Sequence, residues 1–404
     1  MKFSGFNRAV WRRIQMKSNF SELKQTVDKI MSIREIILTN VVLIGQTPSQ
    51  AHSDESKSNS IRSQMFLDRL AETQPDELTT DFHGNPLALF KGASARSHPI
   101  MLVAHMDTAL GMESECHYQV SEDYLIGPGL IDNSLGVGVL ISIPDILKTL
   151  EIKLKSDLVL IGLPESLRDS NLKSIRNFLS AWKSPVKAAV CIEGGEIGRL
   201  NYFSKGMIRA EILCDIPQEI GYTDKYGLNA IIVMNEVINR VLAIRLPLRP
   251  QTNIVLGEIH SGYKHGELPL YARLGFEIHS DSDDMVEDTF GRILEISDDL
   301  SHKFSAQIRL RKISSVKAAH LHFHHPMIKA AIRVMEALEI KPIIESSESE
   351  LSVFLSHRIP AITLAIAHGL NPQKENEQIF IPSIYKGIAQ LVGVIKAIDE
   401  EGVK

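Results

Sequence analysis

The stretch that decides the fold is Pro99-Ile100-Met101-Leu102-Val103-Ala104, an unbroken apolar run that ends on His105, with Asp107 two residues further on. Such a run suits a strand covered on both faces, as in the middle of a mostly parallel sheet. Working outward, the pattern repeats. Leu158-Val159-Leu160-Ile161-Gly162-Leu163 stops at Pro164-Glu165, and Ala188-Ala189-Val190-Cys191-Ile192 stops at Glu193-Gly194. Between them the turn Gly127-Pro128-Gly129 leads to Asp132-Asn133 and the apolar helical stretch SLGVGVLISIPDIL. Polar residues therefore recur where buried strands end, which is the edge where open α/β sheets place ligands.

From about residue 208 the pattern changes to shorter amphipathic strands and helices. AEILCDI, the helix NAIIVMNEVINRVLAI, LGFEIHS, FGRILEISDDL and QIRLRKI follow one another, and Ile231, Met234, Ile238 and Val241 are expected on one helix face. The chain then returns to the first style with HPMIKAAIRVMEALEI, AITLAIA and YKGIAQLVGVIKAID. The expected fold class is α/β, a doubly wound mostly parallel sheet formed by 1–207 and 318–404, interrupted by a small α+β domain at 208–317.

Composition excludes some functions. The 404 residues carry a formal net charge of −5, so a nucleic-acid partner is not expected. Three cysteines, Cys116, Cys191 and Cys214, are too few for a disulfide framework and fit a reducing, cytoplasmic setting. No stretch reads as the ~20 apolar residues needed to span a bilayer. The first twenty residues are basic and contain Trp11, and are expected to be a solvated extension.

The chemistry lies in the polar residues at the strand ends. Zinc hydrolases need imidazole and carboxylate ligands, an open coordination position and a nearby base. His105, Asp132, Glu165 and Glu193 are the candidate ligands, and Asp107, on the same side of an extended segment as His105, can orient the imidazole. Each alone has an ordinary alternative: Asp132 as a helix cap, Glu193 as a turn residue. The run HLHFHH at 320–325 invites a metal reading, but a surface cluster at the boundary between domains is expected instead.

With these residues in place, HPIMLVAHMDT, GPGLIDNSLGV, LPES and CIEGGEIGRLNYFSKG resemble the successive motifs of the dinuclear zinc exopeptidase and amidohydrolase family. That family includes aminoacylase, glutamate carboxypeptidase, peptidase T, acetylornithine deacetylase and succinyl-diaminopimelate desuccinylase. GLNAI, NIVLGEIHSGYKHGELP and SESELSVFLSHRIPAITLA extend the similarity over roughly residues 38 to 398. The resemblance implies His105 as first zinc ligand, Asp107 as its orienting partner, Asp132 as bridging carboxylate and Glu193 as acidic ligand of the same metal. It also implies that the first domain binds the metals, that the insert is a ferredoxin-like lid and dimerisation domain, and that the substrate is a small peptide or N-acyl amino acid; composition gives no reason to expect a membrane or nucleic-acid partner.

The departures from the family pattern fall together. The paired carboxylates of the family are reduced to Glu165, flanked by Pro164 and Ser166, so Glu165 is either the second-metal ligand or the general base. The late histidine ligand, four residues before Glu377, is Gln373. The stretch IPQEIGYTDKY lacks the lid histidine, and Gly266, His279 and Glu350 stand where an Asn, an Arg and an Asp are expected. One zinc site thus reads as complete and the second as incomplete. The expected activity is a weakened zinc-dependent amide hydrolysis, with a catalytically degenerate family member (a pseudoenzyme binding one metal, a ligand or a partner) as the alternative.

Overall fold

The computed structural model describes residues 25–47, 59–94, 97–108, 117–167, 170–217 and 228–400. The basic N-terminal extension, the lid segment at 218–227 and Cys116 lie outside them. The described chain divides into two units, one of residues 1–203 with 320–404 and one of residues 204–319.

The first unit is built on an eight-stranded sheet. Its strands run Glu77–Thr80, Pro86–Phe90, Leu158–Leu163, Ile100–His105, Ala188–Glu193, Ala361–Ala365, Arg199–Asn201 and Ile343–Ile344 in spatial order. The four central strands are mutually parallel, with His105 opposite Leu163 and Ala365 opposite Glu193. Ile100–His105 and Leu158–Leu163 are buried at every position, because helices cover both faces. The continuous apolar runs in the sequence are this double burial made visible. Parallel register also brings the carboxyl ends of these strands to one edge.

Two of the covering helices needed a different reading from the one their sequence first invites. The stretches Leu130–Thr149 and Ile381–Glu400 have the length and apolarity of membrane spans. The expectation that nothing in the chain approaches a span is therefore corrected. Their most apolar windows are 83% and 67% buried inside the fold, so they are helices apolar nearly all round because protein surrounds them.

The second unit is a βαββαβ arrangement. Strands Thr252–Ser261, Tyr271–Ser280, Gly206–Asp215 and Gln307–Val316 form one antiparallel sheet in that spatial order. Helices Ala230–Leu242 and Asp283–Phe304 pack on it, and Ile208, Ala210, Ile212, Leu274, Phe276 and Ile278 share their core. Asn229 caps the first helix by accepting from the Ile232 N–H at 3.1 Å. That helix buries Val233, Met234, Val237 and Val241, while Ile231 is 51% exposed. The buried face, which also takes in Ala230, is thus centred about one residue before the expected one. The opposite sheet face alternates charge, with Glu211 paired to Arg273 and Arg311 and Glu277 paired to Arg209 and His279. This is the polar side of a half-covered antiparallel sheet.

Candidate metal centre

His105 ends a central strand and is 3% exposed. Its Nδ1 lies 3.0 Å from the Asp107 carbonyl oxygen and 3.3 Å from Asp107 Oδ1. Its Nε2 lies 2.9 Å from Asp132 Oδ1 and 3.6 Å from Glu193 Oε2. The three ligand atoms of His105, Asp132 and Glu193 all fall within 4.8 Å of one another, and among the described residues they are the group arranged to hold a metal ion. Tetrahedral zinc at ordinary bond lengths separates its ligand atoms by about 3.4 Å, so these spacings suit one ion. Asp107 fixes the ring from behind, as metal-bound imidazoles require.

The loop bearing Asp132 is held by a neighbour that the sequence reading passed over. Asn133, 1% exposed, donates from Nδ2 to the Ile192 carbonyl at 2.7 Å and accepts at Oδ1 from Gly136 N at 3.1 Å and Gly194 N at 3.0 Å. One amide therefore ties the helix start to the strand end that carries Glu193. The peptide between Asp132 and Asn133 is cis. Gly194 has to be glycine, since a Cβ there would sit 2.2 Å from the Ile131 carbonyl oxygen. Gly129, at φ 63, supplies the left-handed residue from which the loop starts.

Glu377 braces the same loop from another direction. Its Oε2 accepts from Ile131 N and its Oε1 from Gln373 N, both at 2.6 Å. Burial pushes the Glu377 carboxyl up, against the pull of those two N–H donors. Gln373, at the place of the family's late histidine, contributes its backbone N–H to this brace, and the residue is exposed.

Of the four expected ligands, the structure brings three together and leaves Glu165 apart. The Glu165 carboxylate is paired with Lys173 Nζ, 3.0 Å from Oε2 and 3.2 Å from Oε1, and is not part of the metal-ligand group. The physical reason lies in the turn after Leu163. Asp107 Oδ2 takes the Ser166 and Leu167 N–H groups at 2.8 and 2.7 Å, and Ser174 Oγ takes the Glu165 N–H at 2.9 Å. Lys173, at the start of the next helix, then meets the Glu165 side chain. In the HLHFHH run, the His322 and His324 rings stack at 5.7 Å and His325 caps the Pro326–Ala337 helix through Met327 N. No metal-ligand group forms there among the described residues.

The surrounding charges decide the protonation of His105. Burial works to lower the imidazole pKa, but Glu193, Asp107 and Asp132 outweigh it and hold the ring protonated well above its ordinary 6.5. Both ring nitrogens then donate, which fits acceptors on both sides. A raised histidine stabilises the fold fully below its unfolded value, and that contribution is lost as the pH rises through the folded value. Metal at Nε2 must displace the proton. Zinc binding by the metal-free protein is accordingly expected to release protons and to tighten as the pH rises from 6.5. Calorimetric titrations in buffers of different ionisation enthalpy check this; proton uptake, or affinity that falls with pH, would contradict it.

No family model and no curated protein matches the sequence. Solved structures do match. The di-peptidase Dug1p from Saccharomyces cerevisiae superposes with a TM-score of 0.77 at 12% identity, over 94% of this chain and 99% of that one. Human carnosine dipeptidase 1 gives 0.75 at 10% identity, over 94% and 99%. The Bacillus subtilis YXEP protein, a dinuclear metal-binding peptidase from the M20 family, gives 0.63 at 12% identity, over 92% and 99%. The chain has the M20 peptidase fold. The coverage takes in nearly the whole length of each of these M20-fold structures, so the lid-type insert is part of the similarity as well as the sheet.

Proposed function

We propose that this M20-fold chain is a metal-dependent hydrolase of peptide or N-acyl amino acid amide bonds that works with one zinc, held by His105, Asp132 and Glu193, and works slowly. The observation that carries this reading is the convergence of one buried imidazole and two carboxylates within 4.8 Å at the edge of the sheet. Zinc bound there supplies Lewis-acid polarisation of a substrate carbonyl. The chain's own residues do the rest. Asp107 keeps the His105 ring oriented, and Asn133 and Glu377 keep Asp132 in place. Glu165 is the carboxylate assigned to proton transfer, and its salt bridge with Lys173 must open before it can accept a proton.

The slow rate follows from what is missing. Pro164 and Ser166 flank Glu165 where a second carboxylate belongs, and Gln373 presents an amide where an imidazole belongs. Loss of a positioned base costs about a hundred- to ten-thousandfold in rate. With zinc loaded, Glu165→Gln is therefore expected to lower dipeptide or N-acetyl amino acid hydrolysis at least a hundredfold while leaving zinc content unchanged. A variant as active as the parent would remove Glu165 from the mechanism.

The Glu165–Lys173 pair also favours a second reading, that of a metal-binding pseudoenzyme. A zinc-loaded parent that hydrolyses nothing across a panel of dipeptides and N-acyl amino acids would establish it in place of the first.

A further inference from the structure

At the edge of the large sheet away from the metal ligands lies a cavity of about 440 Å3. It forms where the Pro86–Phe90 strand ends against the start of Leu158–Leu163, with Phe90 paired to Leu158, and the Leu135–Thr149 helix supplies Leu147 and Lys148 to its wall. His105 is level with Leu163, at the other end of the same strand. The length of that strand, roughly 17 Å, therefore separates the cavity from the metal ligands. Small-molecule sites occupy about 300–1,000 Å3 and combine an apolar lining with a few polar groups.

The lining here is of two kinds. Phe90, Pro144, Leu147, Ile152, Leu154 and Leu158 make it largely apolar. Lys91, Lys148 and Lys153 add three positive charges, and no Asp or Glu lines it. All three lysines are exposed, and among the described residues none of them enters an ion pair. The hydroxyls in the lining are committed elsewhere. Thr73 Oγ1 donates to the Leu70 carbonyl at 2.7 Å, while Ser156 Oγ lies 2.7 Å from Ser97 Oγ and accepts from Lys187 Nζ at 3.2 Å. The backbone N–H groups of Lys91, Gly92 and Ala93 are taken by Asp76 Oδ2, Asp157 Oδ1 and the Leu154 carbonyl. That leaves no row of free amides of the kind that cradles a phosphate. Gly92 lets this wall close on its neighbour, since a Cβ there would sit 2.3 Å from the Lys155 carbonyl oxygen.

We propose that this cavity binds a carboxylate carrying an apolar tail, of the medium-chain acyl class. The tail lies on the apolar lining, and the head meets the ammonium groups of Lys91, Lys148 and Lys153. Lysine stems cover apolar surface while their heads stay in water, so the same three side chains serve both parts of such a ligand. The site stands apart from the metal centre and does not depend on zinc being held there.

Calorimetric titration of octanoate into full-length protein loaded with one equivalent of zinc tests this, with acetate as the head without a tail and octanol as the tail without a head. The parent is expected to take up one octanoate per chain, at least tenfold more tightly than either fragment. The combined substitution Lys91→Gln, Lys148→Gln and Lys153→Gln changes only exposed positions and is expected to weaken octanoate at least tenfold. Asp132→Ala, which removes a proposed zinc ligand, is expected to bind octanoate as the parent does. Octanoate binding absent from the parent, or undiminished in the lysine variant, would overturn the proposal. Acetate or octanol bound as tightly as octanoate would do the same. Octyl phosphate bound tenfold more tightly than octanoate would overturn the choice of a carboxylate head. Binding lost in Asp132→Ala would place the carboxylate on the zinc and not in this cavity.

Discussion

Replacing Asp132 with alanine is expected to abolish tight zinc binding while leaving the protein folded. Asp132 Oδ1 is 2.9 Å from His105 Nε2, nearer to that nitrogen than Glu193 Oε2 at 3.6 Å. Removing a group that merely orients a ligand costs about ten- to hundredfold in metal affinity, so removing a ligand costs at least about a hundredfold. Metal-free stability should change far less. Asp132 keeps a side-chain exposure of 26%, and Glu193 remains 3.6 Å from the same nitrogen. A direct hydrogen bond to a charged partner contributes about 1.5–3 kcal/mol, which bounds the loss for the metal-free variant. Holoprotein at a hundredfold excess of zinc over Kd loses in addition the ~2.7 kcal/mol of linkage stabilisation. Thermal melts with and without zinc separate the two contributions: zinc should raise the Tm of the parent and leave that of Asp132→Ala unmoved. Equal zinc shifts in both proteins would show that Asp132 is no ligand.

Asn133→Ala should be the most damaging single truncation near the site. It strips partners from the Ile192 carbonyl and from the Gly136 and Gly194 N–H groups, all in the interior. Each buried group left unsatisfied costs about 1–3 kcal/mol, so the loss in unfolding free energy is roughly 3–5 kcal/mol after partial relaxation. The strand end bearing Glu193 and the loop bearing Asp132 also lose their common tie, and zinc affinity should fall about ten- to hundredfold, as for an outer-shell partner. Urea denaturation of the metal-free variant measures the first effect and zinc titration the second. A destabilisation below about 1 kcal/mol would mean that water replaces the amide without cost.

Both expectations depend on architecture that was largely legible in the sequence. Strands buried on both faces leave continuous apolar runs, and the polar residue that ends each run marks the carboxyl edge, so His105 and Glu193 stood out from the start. The α/β sheet and its α+β insert follow from the same patterning. Other features depend on contacts between distant segments, which patterning does not encode. The Lys173 side chain meets Glu165 only because the turn after Leu163 is gathered onto Asp107. Asn133 looks like half of an Asp-Asn pair until its three partners, up to 61 residues away, are in place. Glu350 reads as a conservative change at an acidic position, and its burial emerges only from the packing of a short helix on the sheet. Ile231 shows the smaller error that a helix face allows, a displacement of the buried stripe by about one residue.

Zinc K-edge absorption spectroscopy of protein loaded with one equivalent of zinc tests the central claim most directly, because it reads the ligand set of the ion itself. The account predicts one imidazole together with oxygen donors, no sulfur, and no zinc–zinc scattering at the roughly 3.5–4 Å of a paired-metal site. The same spectrum should collapse to that of aqueous zinc in Asp132→Ala. Two or more imidazoles, a sulfur ligand, or a parent spectrum unaffected by that substitution would contradict it.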